Sequence, residues 1–470
     1  MADTPENTPD PHTPDPHTPD PHTRALLDMV EDQRKMGEEA DAVLRLGAML
    51  MAAGTGGYRV IRAMKRAARA LGFDRVDAVV SVNDITCTFH RAGRFRTVVV
   101  NHDNPAVDAS RIEALENLSR TLDGHLTAAE LNTELDRVEQ LVGKRWPVWV
   151  QALAAGLACA GFAVLNHYAP AECVLVALAA AVGQTARHYC ARHRLNQLGT
   201  TAIAAVTACL VYLAVSKLLI AVGAIGSPDF TIGYVASVLF LIPGFPLFSS
   251  LLDLSRFDLT AGLSRLAYAT TVIFTATMSV AVVSLVTGLQ PLPPDPAVPD
   301  PVWYLAAAVA TAAGIGGFAV LFNSSRRMAL VAALIGTVGN VLRLVFVDAG
   351  MQAHLAAFLG ALVVGLLGAV LTGPTRLPRI TLTVPASVIM VPGPLIYRTV
   401  YYLNSGDIDS ALGTAATASL IIVAIGAGLV VARMLTDRAW TFGRHIAFPR
   451  QGDQGGGGAT PEGTGTDRVV

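Results

Sequence analysis

Leu239-Phe240-Leu241-Ile242-Pro243-Gly244-Phe245-Pro246, followed by Phe257-Asp258-Leu259, decides the reading of this chain, because it recurs. The second copy is Val388-Ile389-Met390-Val391-Pro392-Gly393-Pro394, followed by Gly406-Asp407-Ile408. Pro243 pairs with Pro392, and Asp258 pairs with Asp407 at the same offset. Both copies lie in apolar sequence, where proline and glycine interrupt a helix. Backbone freed at membrane depth survives only where protein or a water-filled cavity covers it. A pair of Gly/Pro-interrupted segments in matching places of two halves is a sequence pointer to a transporter's binding site.

Working outward, the composition supports a membrane protein. The chain has 470 residues, 52% hydrophobic and only 15% charged, too apolar for an ordinary soluble enzyme. Apolar runs of about 20 residues, the length that crosses a bilayer, recur from Trp146 onward. Ten spans are expected: 147–165, 170–187, 199–222, 230–251, 262–288, 302–322, 328–347, 352–372, 382–403 and 411–433. Arginines crowd alternate gaps, at Arg187, Arg192 and Arg194, at Arg256, at Arg326 and Arg327, at Arg376 and Arg379, and at Arg433, Arg438 and Arg444. The intervening gaps carry no Lys or Arg. The positive-inside rule then puts both termini in the cytoplasm, and the cytoplasmic membrane is the expected location.

Before the spans, residues 24–146 read as a small cytoplasmic α/β domain. Helical periodicity covers 38–71, interrupted at Gly54-Thr55-Gly56-Gly57, with a basic face of Arg59, Arg62, Lys65, Arg66 and Arg69. Strands are expected at 75–82, 85–90 and 95–100, with Ala92-Gly93 as a hairpin turn. Helices follow at about 109–121 and 127–142, the second opened by a Thr127/Glu130 capping box. Residues 1–23 repeat Thr-Pro-Asp-Pro-His and read as a disordered Pro-rich tail, in which His12, His17 and His22 offer at most weak metal binding. Residues 451–470 read as a disordered Gly-rich tail. No charged-then-apolar secretory leader opens the chain.

Five spans per half is an odd number, so homologous halves must insert with opposite orientation. The first membrane repeat is expected at 147–288 and the second at 302–433. A second duplicated motif agrees: Gly183-Gln184-Thr185-Ala186-Arg187 ends the second span, and Gly339-Asn340-Val341-Leu342-Arg343 lies in the seventh. The expected fold is mainly α: ten transmembrane helices as two inverted five-helix repeats after a small α/β domain. Inverted repeats around a midplane site are the architecture of alternating access.

These features resemble the threonine/serine exporter family, over roughly residues 38–435. The resemblance rests on Leu46-Gly47-Ala48 and Gly57-Tyr58-Arg59-Val60 in the soluble region, the two five-span units, and Val391-Pro392-Gly393-Pro394. It implies proton-driven efflux of threonine and serine, as an antiporter. Similar halves that occur as two separate proteins are associated with succinate export, so a dicarboxylate is the alternative substrate. In the family pattern an acidic residue follows the Arg-Val pair; here Ile61 and Arg62 stand there, and no carboxylate role carries over.

Each candidate residue has a plainer alternative. Pro243, Gly244, Pro246, Pro392, Gly393 and Pro394 either bind a small amino acid through freed backbone or form packing kinks. Gln184, Asn340, Arg187 and Arg343 either bind substrate, a carboxylate suiting arginine, or gate the two faces, or, for the arginines, snorkel to headgroups. Asp258 and Asp407 either cap helices or couple protons and gate, a role also open to Asp253. Lys217 either snorkels or lines the path. His90, His102, Asp84, Asp103 and Cys87 show no nucleophile–base spacing, so catalysis is not expected. The alternative of a membrane-anchored enzyme or sensor acting through 24–146 leaves the duplicated spans without a purpose. No Walker, zinc or dinucleotide motif appears, and no cofactor, metal or nucleic-acid partner is expected. The five cysteines lack metal spacing and read as small packing residues. Homo-oligomerisation stays open.

Overall fold

The computed structural model describes residues 20–102, 106–122, 126–223, 233–288 and 300–442. The chain opens with helix α1 (Pro21–Ala52), whose N-cap Asp20 accepts from Thr23 N at 2.7 Å. Residues 21–23, expected to be tail, therefore belong to a helix, because Asp20 and Pro21 supply an N-cap and an N1 proline. Residues 1–19, like the expected tail at 451–470, lie outside the described residues.

Helix α2 (Gly57–Ala70) buries Val60, Ala63, Met64 and Ala67 in a first core. Three antiparallel strands follow, β1 (Arg75–Val80), β2 (Asp84–Arg91) and β3 (Arg94–Asn101), in the order β1-β2-β3. Ala92 and Gly93 both have positive φ, 49° and 78°, which is the turn whose twist matches a hairpin. Ile85, Cys87 and Phe89 alternate onto one face of β2 and pack on Leu46, Leu50, Met64 and Phe73. Helices α3 (Ala109–Thr121) and α4 (Ala128–Leu141) close this core with Leu115, Leu131 and Leu135. The Thr127/Glu130 capping box forms as expected.

A second core runs through the apolar helices. These are α5 (Val148–Leu165), α6 (Pro170–Arg192), α7 (Gln197–Ala221), α8 (Gly233–Ala236) with a 3-10 turn at Leu239–Leu241, α9 (Gly244–Leu254) and α10 (Leu259–Thr287). After the gap come α11 (Pro301–Leu321), α12 (Arg326–Asp348), α13 (Ala353–Thr375), α14 (Arg379–Val388), α15 (Gly393–Ser405), α16 (Ile408–Thr436) and the short α17 (Arg438–Thr441).

Among the described residues, seven helices are long and apolar enough to cross a membrane, or nine if each of two bent pairs is one span. The expected ten falls short by α6. Glu172, Gln184, Arg187 and Arg192 make it more polar than its neighbours. The bent pairs are 233–241 with α9, at 60°, and α14 with α15, at 52°.

Helices α5 and α11 cross antiparallel through small residues. A Cβ on Gly161 would meet Ala310 O at 2.7 Å, and one on Gly317 would meet Ala154 O. Phe162 and Phe318 meet edge to face at 5.9 Å. Without a hydrophobic driving force between helices in lipid, such close backbone approach is what holds them.

The N-terminal region sits on one end of this bundle. Val82 N donates to Ser264 Oγ at 3.1 Å, Ala109 N to Phe322 O at 2.9 Å, and Trp146 Nε1 to Ser324 O at 2.9 Å. The gaps it covers, around 255–258 and 322–325, are among those rich in arginine.

Candidate functional site

Proline at 243 removes the donor that Leu239 O would have in a continuous helix, and Pro392 does the same to Val388 O. The chain answers identically in both places. Pro243 adopts φ −79°, ψ 61° and Pro392 φ −80°, ψ 61°. Gly244 N turns back to Ile242 O at 2.8 Å, and Gly393 N to Val391 O at 2.8 Å. Each break is thus an inverse γ-turn from which a new helix starts at the glycine.

The two breaks also touch each other reciprocally. A Cβ on Gly244 would strike Val388, and one on Gly393 would strike Leu239 at 2.5 Å. Val388 stands to Leu239 as Gly393 stands to Gly244 along the chain. Small residues at the turns are therefore demanded by the opposite break.

The first break opens on a cavity of about 380 Å³, on the side covered by the N-terminal region. Gln184, Arg187, Pro243 and Pro246 all line it, with Gln197, Arg265 and Tyr268. Gln184 is buried at 6% exposure, and its Oε1 has no hydrogen-bond partner. A buried amide oxygen left unpaired costs about 1–3 kcal/mol, so it marks a place where a donor is wanted. Arg187 is half-buried beside it. Lys144 stands among the lining residues from the N-terminal region, and among the described residues no carboxylate does.

The second copy of the motif lies elsewhere and is satisfied internally. Asn340 is fully buried, donates from Nδ2 to Thr311 Oγ1 at 2.9 Å and accepts from Arg343 Nε at 2.8 Å. At the offset that relates Phe162 to Phe318 and Gln184 to Asn340, Thr311 corresponds to Ala155, which has no hydroxyl. Asn340, Arg343, Pro392, Gly393 and Pro394 do not reach the cavity. The structure thus gathers four of the ten expected binding residues and keeps the rest apart; Gly244 is one of the latter, packed on Val388.

Asp258 and Asp407 cap α10 and α16, accepting from Ala261 N at 3.4 Å and Ser410 N at 3.1 Å. Their backbones agree as the breaks do, at φ −76°, ψ 74° and φ −82°, ψ 79°. Asp253 has a different setting. It is buried, pairs with the buried Arg265 at 3.3 Å, and accepts from Gly57 N at 3.1 Å. The N-terminal end of α2, carrying the positive end of its dipole, is thereby seated on a carboxylate of α9. A Cβ on Gly56 would meet Asp253 Oδ1 at 2.9 Å, and one on Gly57 would meet Asp258 Oδ2 at 2.8 Å. Gly56 and Gly57, two of the glycines that interrupt 38–71, are needed for that approach. Tyr58 next to them lies under Arg256, 3.9 Å from guanidinium carbon to ring centre.

Sequence reasoning missed Arg265, although an arginine inside an apolar run is itself a signal. It also missed Glu172, buried at the start of α6, where it accepts from Tyr212 Oη and Gly233 N, each at 2.9 Å. Lys217 is exposed on α7 and is not part of the cavity wall. Among the described residues, no three His, Cys, Asp or Glu side chains converge as metal ligands would.

Comparison with known proteins agrees with this architecture. Residues 41–287 match a family model described as "Putative threonine/serine exporter", and residues 305–435 match one described as "Threonine/Serine exporter, ThrE". Two relatives carry the name "Probable succinate transporter subunit YjjP". The one from Escherichia coli (strain K12) is 28% identical over 54% of this chain and 98% of its own length. The one from Klebsiella aerogenes is 26% identical over 48% of this chain and 84% of its own length. No solved structure matches. With its duplicated breaks and two matched units on one polypeptide, the chain belongs to the threonine/serine exporter family of multi-pass membrane transporters.

Proposed function

We propose that this protein is a secondary active exporter of small hydrophilic solutes bearing a carboxylate, threonine and serine first, working by alternating access in the cytoplasmic membrane and driven by the proton gradient. The observation that carries the reading is the pair of Pro-Gly breaks. They share torsion angles, pack on one another reciprocally, and the first opens on a cavity holding an unpaired amide oxygen and an arginine. A substrate carboxylate would lie against Arg187, and its ammonium or hydroxyl would give Gln184 Oε1 the donor it lacks. The carbonyls around Pro243 offer further acceptors, as unwound backbone does in transporters.

Ten spans in two inverted repeats fit this proposal. The antiparallel α5–α11 crossing and the exchange of Gly161/Ala310 with Gly317/Ala154 are what a two-fold axis in the membrane plane would give. The N-terminal region covers the arginine-bearing gaps, which suits a cytoplasmic domain at 24–146 and cytoplasmic termini. In an inverted repeat the two amide motifs take different roles in any one state. Here Gln184 faces the cavity unpaired while Asn340 is sealed with Thr311 and Arg343, the arrangement of a transporter open toward the cytoplasm. Asp258 and Asp407 act as caps. Asp253, paired with Arg265 and held by α2, is the carboxylate placed to gate or to couple protons.

A dicarboxylate is the second reading. Among the described lining residues Lys144 and Arg187 stand without a carboxylate partner, Arg265 being paired with Asp253, which suits a dianion better than a zwitterion, and the two relatives are named for succinate. Uptake of labelled threonine, serine and succinate into everted vesicles, with and without a proton gradient, tests both. Arg187→Gln should abolish uptake of the true substrate at unchanged membrane levels. Absence of uptake of all three, or full activity in Arg187→Gln, would remove the proposal.

A further inference from the structure

A second cavity, of about 210 Å³, lies where the N-terminal region meets the membrane bundle and shares no residue with the first. Arg59, Arg62 and Arg66 of α2 and Arg120 of α3 converge there on Arg379, at the start of α14, and Arg433, near the end of α16. Among the described residues that line it only Glu116 and Asp437 are acidic, so six guanidinium groups face two carboxylates.

The internal pairings use up both acids. Glu116 takes Arg59 on one oxygen and Arg120 on the other, the latter at 3.4 Å. Asp437 lies 3.5 Å from Arg433. Arg379 settles for uncharged acceptors, Thr436 Oγ1 and Gly365 O, both at 2.6 Å. Among the described residues Arg66 reaches only Ser119 Oγ, at 3.5 Å. Arg62 has no hydrogen bond or ion pair among the described residues. Arg59 Nε and Arg433 Nε are buried without a partner, and Arg433 is 8% exposed. Burial first, then Arg62 and Arg120, pushes the Arg66 guanidinium below its ordinary value. Like charges gathered in a half-enclosed space repel strongly, and unpaired buried donors add their own cost. A folded protein that keeps such an arrangement has a use for an anion in it.

We propose that this cavity binds a phosphate group, held between α2 and α3 on one side and α14 and α16 on the other. A phosphate offers up to two negative charges and several acceptor oxygens. It can therefore engage guanidinium groups from both sides at once, with more charge and more acceptor oxygens than one carboxylate brings. The volume is far above the ~10–15 Å³ that one water needs. Because α2 also seats its N-terminus on Asp253, an occupant ties the region that covers the transport cavity to α14, the helix that leads into the second break. The phosphate can come from a soluble compound or from an anionic lipid headgroup, since the cavity lies at the ends of the membrane helices.

Full-length protein in nanodiscs of phosphatidylcholine, titrated calorimetrically with inorganic pyrophosphate, tests the soluble source. Native mass spectrometry of protein in mixed phosphatidylglycerol–phosphatidylcholine nanodiscs tests the lipid source. Saturable pyrophosphate binding, or retained phosphatidylglycerol, should weaken at least tenfold in Arg62→Gln and in Arg66→Gln, and less in Arg62→Lys. Arg62 supports no other group, so its variant should fold even where Arg66→Gln does not. Neither ligand binding to the wild type would overturn the site, as would binding that Arg62→Gln leaves unchanged. Both readouts are independent of transport, so a failed transport assay would leave this test standing.

Discussion

Replacing Gly244 with alanine places a methyl group 3.1 Å from Val388 Cγ1 and closer still to its Cγ2. Replacing Gly393 places one 2.5 Å from Leu239 Cδ2. Both are overpacking changes, which cost about 1–3 kcal/mol, but the two neighbours yield differently. Valine branches at Cβ and has essentially one rotamer at the end of a helix, so Val388 cannot swing aside and the backbone must move. Leu239 meets the intruder with the far end of its side chain, which can rotate. Gly244→Ala should therefore fall near the top of that range and Gly393→Ala near the bottom. Through RT this is the difference between about a hundredfold and about fivefold in the population of the packed state. Vesicle export and the Tm of the purified protein read the two effects. Reciprocity supplies the sharper test. Val388→Ala should rescue Gly244→Ala, and Leu239→Ala should rescue Gly393→Ala, with coupling of at least about 1 kcal/mol in each cycle. A Gly244→Ala protein with wild-type export and Tm, or rescue by the wrong partner, would refute the mutual packing of the breaks.

Asp258→Asn and Asp407→Asn should both transport normally, because asparagine caps a helix about as well as aspartate, while Asp258→Ala should lower the Tm; loss of export in an asparagine variant with unchanged Tm would assign that residue to proton coupling. Desolvation raises the carboxyl pKa of Asp108 despite its cap bond from Arg111 N at 3.0 Å. Its folded state therefore holds the proton more tightly than the unfolded chain, and its stabilising contribution is full below the unfolded value of about 3.9 and lost as pH rises through the folded one. Asp108→Asn, which keeps the cap, should then raise the Tm at pH 7.5 more than at pH 4, and an equal shift at both would contradict this. Maleimide should modify Cys190 first, since Cys87, Cys159, Cys173 and Cys209 are buried and burial pushes the Cys87 thiol up to about 12. A membrane-impermeant maleimide should reach Cys190 in everted vesicles and not in right-side-out ones, and the reverse would overturn the orientation.

What the sequence made legible was whatever local chemistry decides. The Thr127/Glu130 box, the Ala92-Gly93 turn, the caps at Asp258 and Asp407 and the breaks at Pro243 and Pro392 each depend on a few adjacent residues, and each formed where expected. The difference between Gln184 and Asn340 was not legible, because it depends on whether α11 or α5 brings a hydroxyl. One motif meets Thr311 and the other has Ala155 at the corresponding position. The Asp253–Arg265 pair escaped notice for a similar reason: neither residue signals its partner, which an intervening helix end brings within reach. The glycines at 54–57 were seen as a break, but the carboxylates that Gly56 and Gly57 approach lie far away in the chain.

The antiparallel α5–α11 contact has a consequence for how the molecule can be made. Its two surfaces complement one another by exchange, Gly161 on Ala310 and Gly317 on Ala154, which is the rule of an isologous dimer interface. Such an interface does not depend on the peptide that joins its two sides. What joining two such surfaces on one chain adds is effective concentration. A gene encoding this protein could then be cut between the two, and its products would need only to be produced together to find each other.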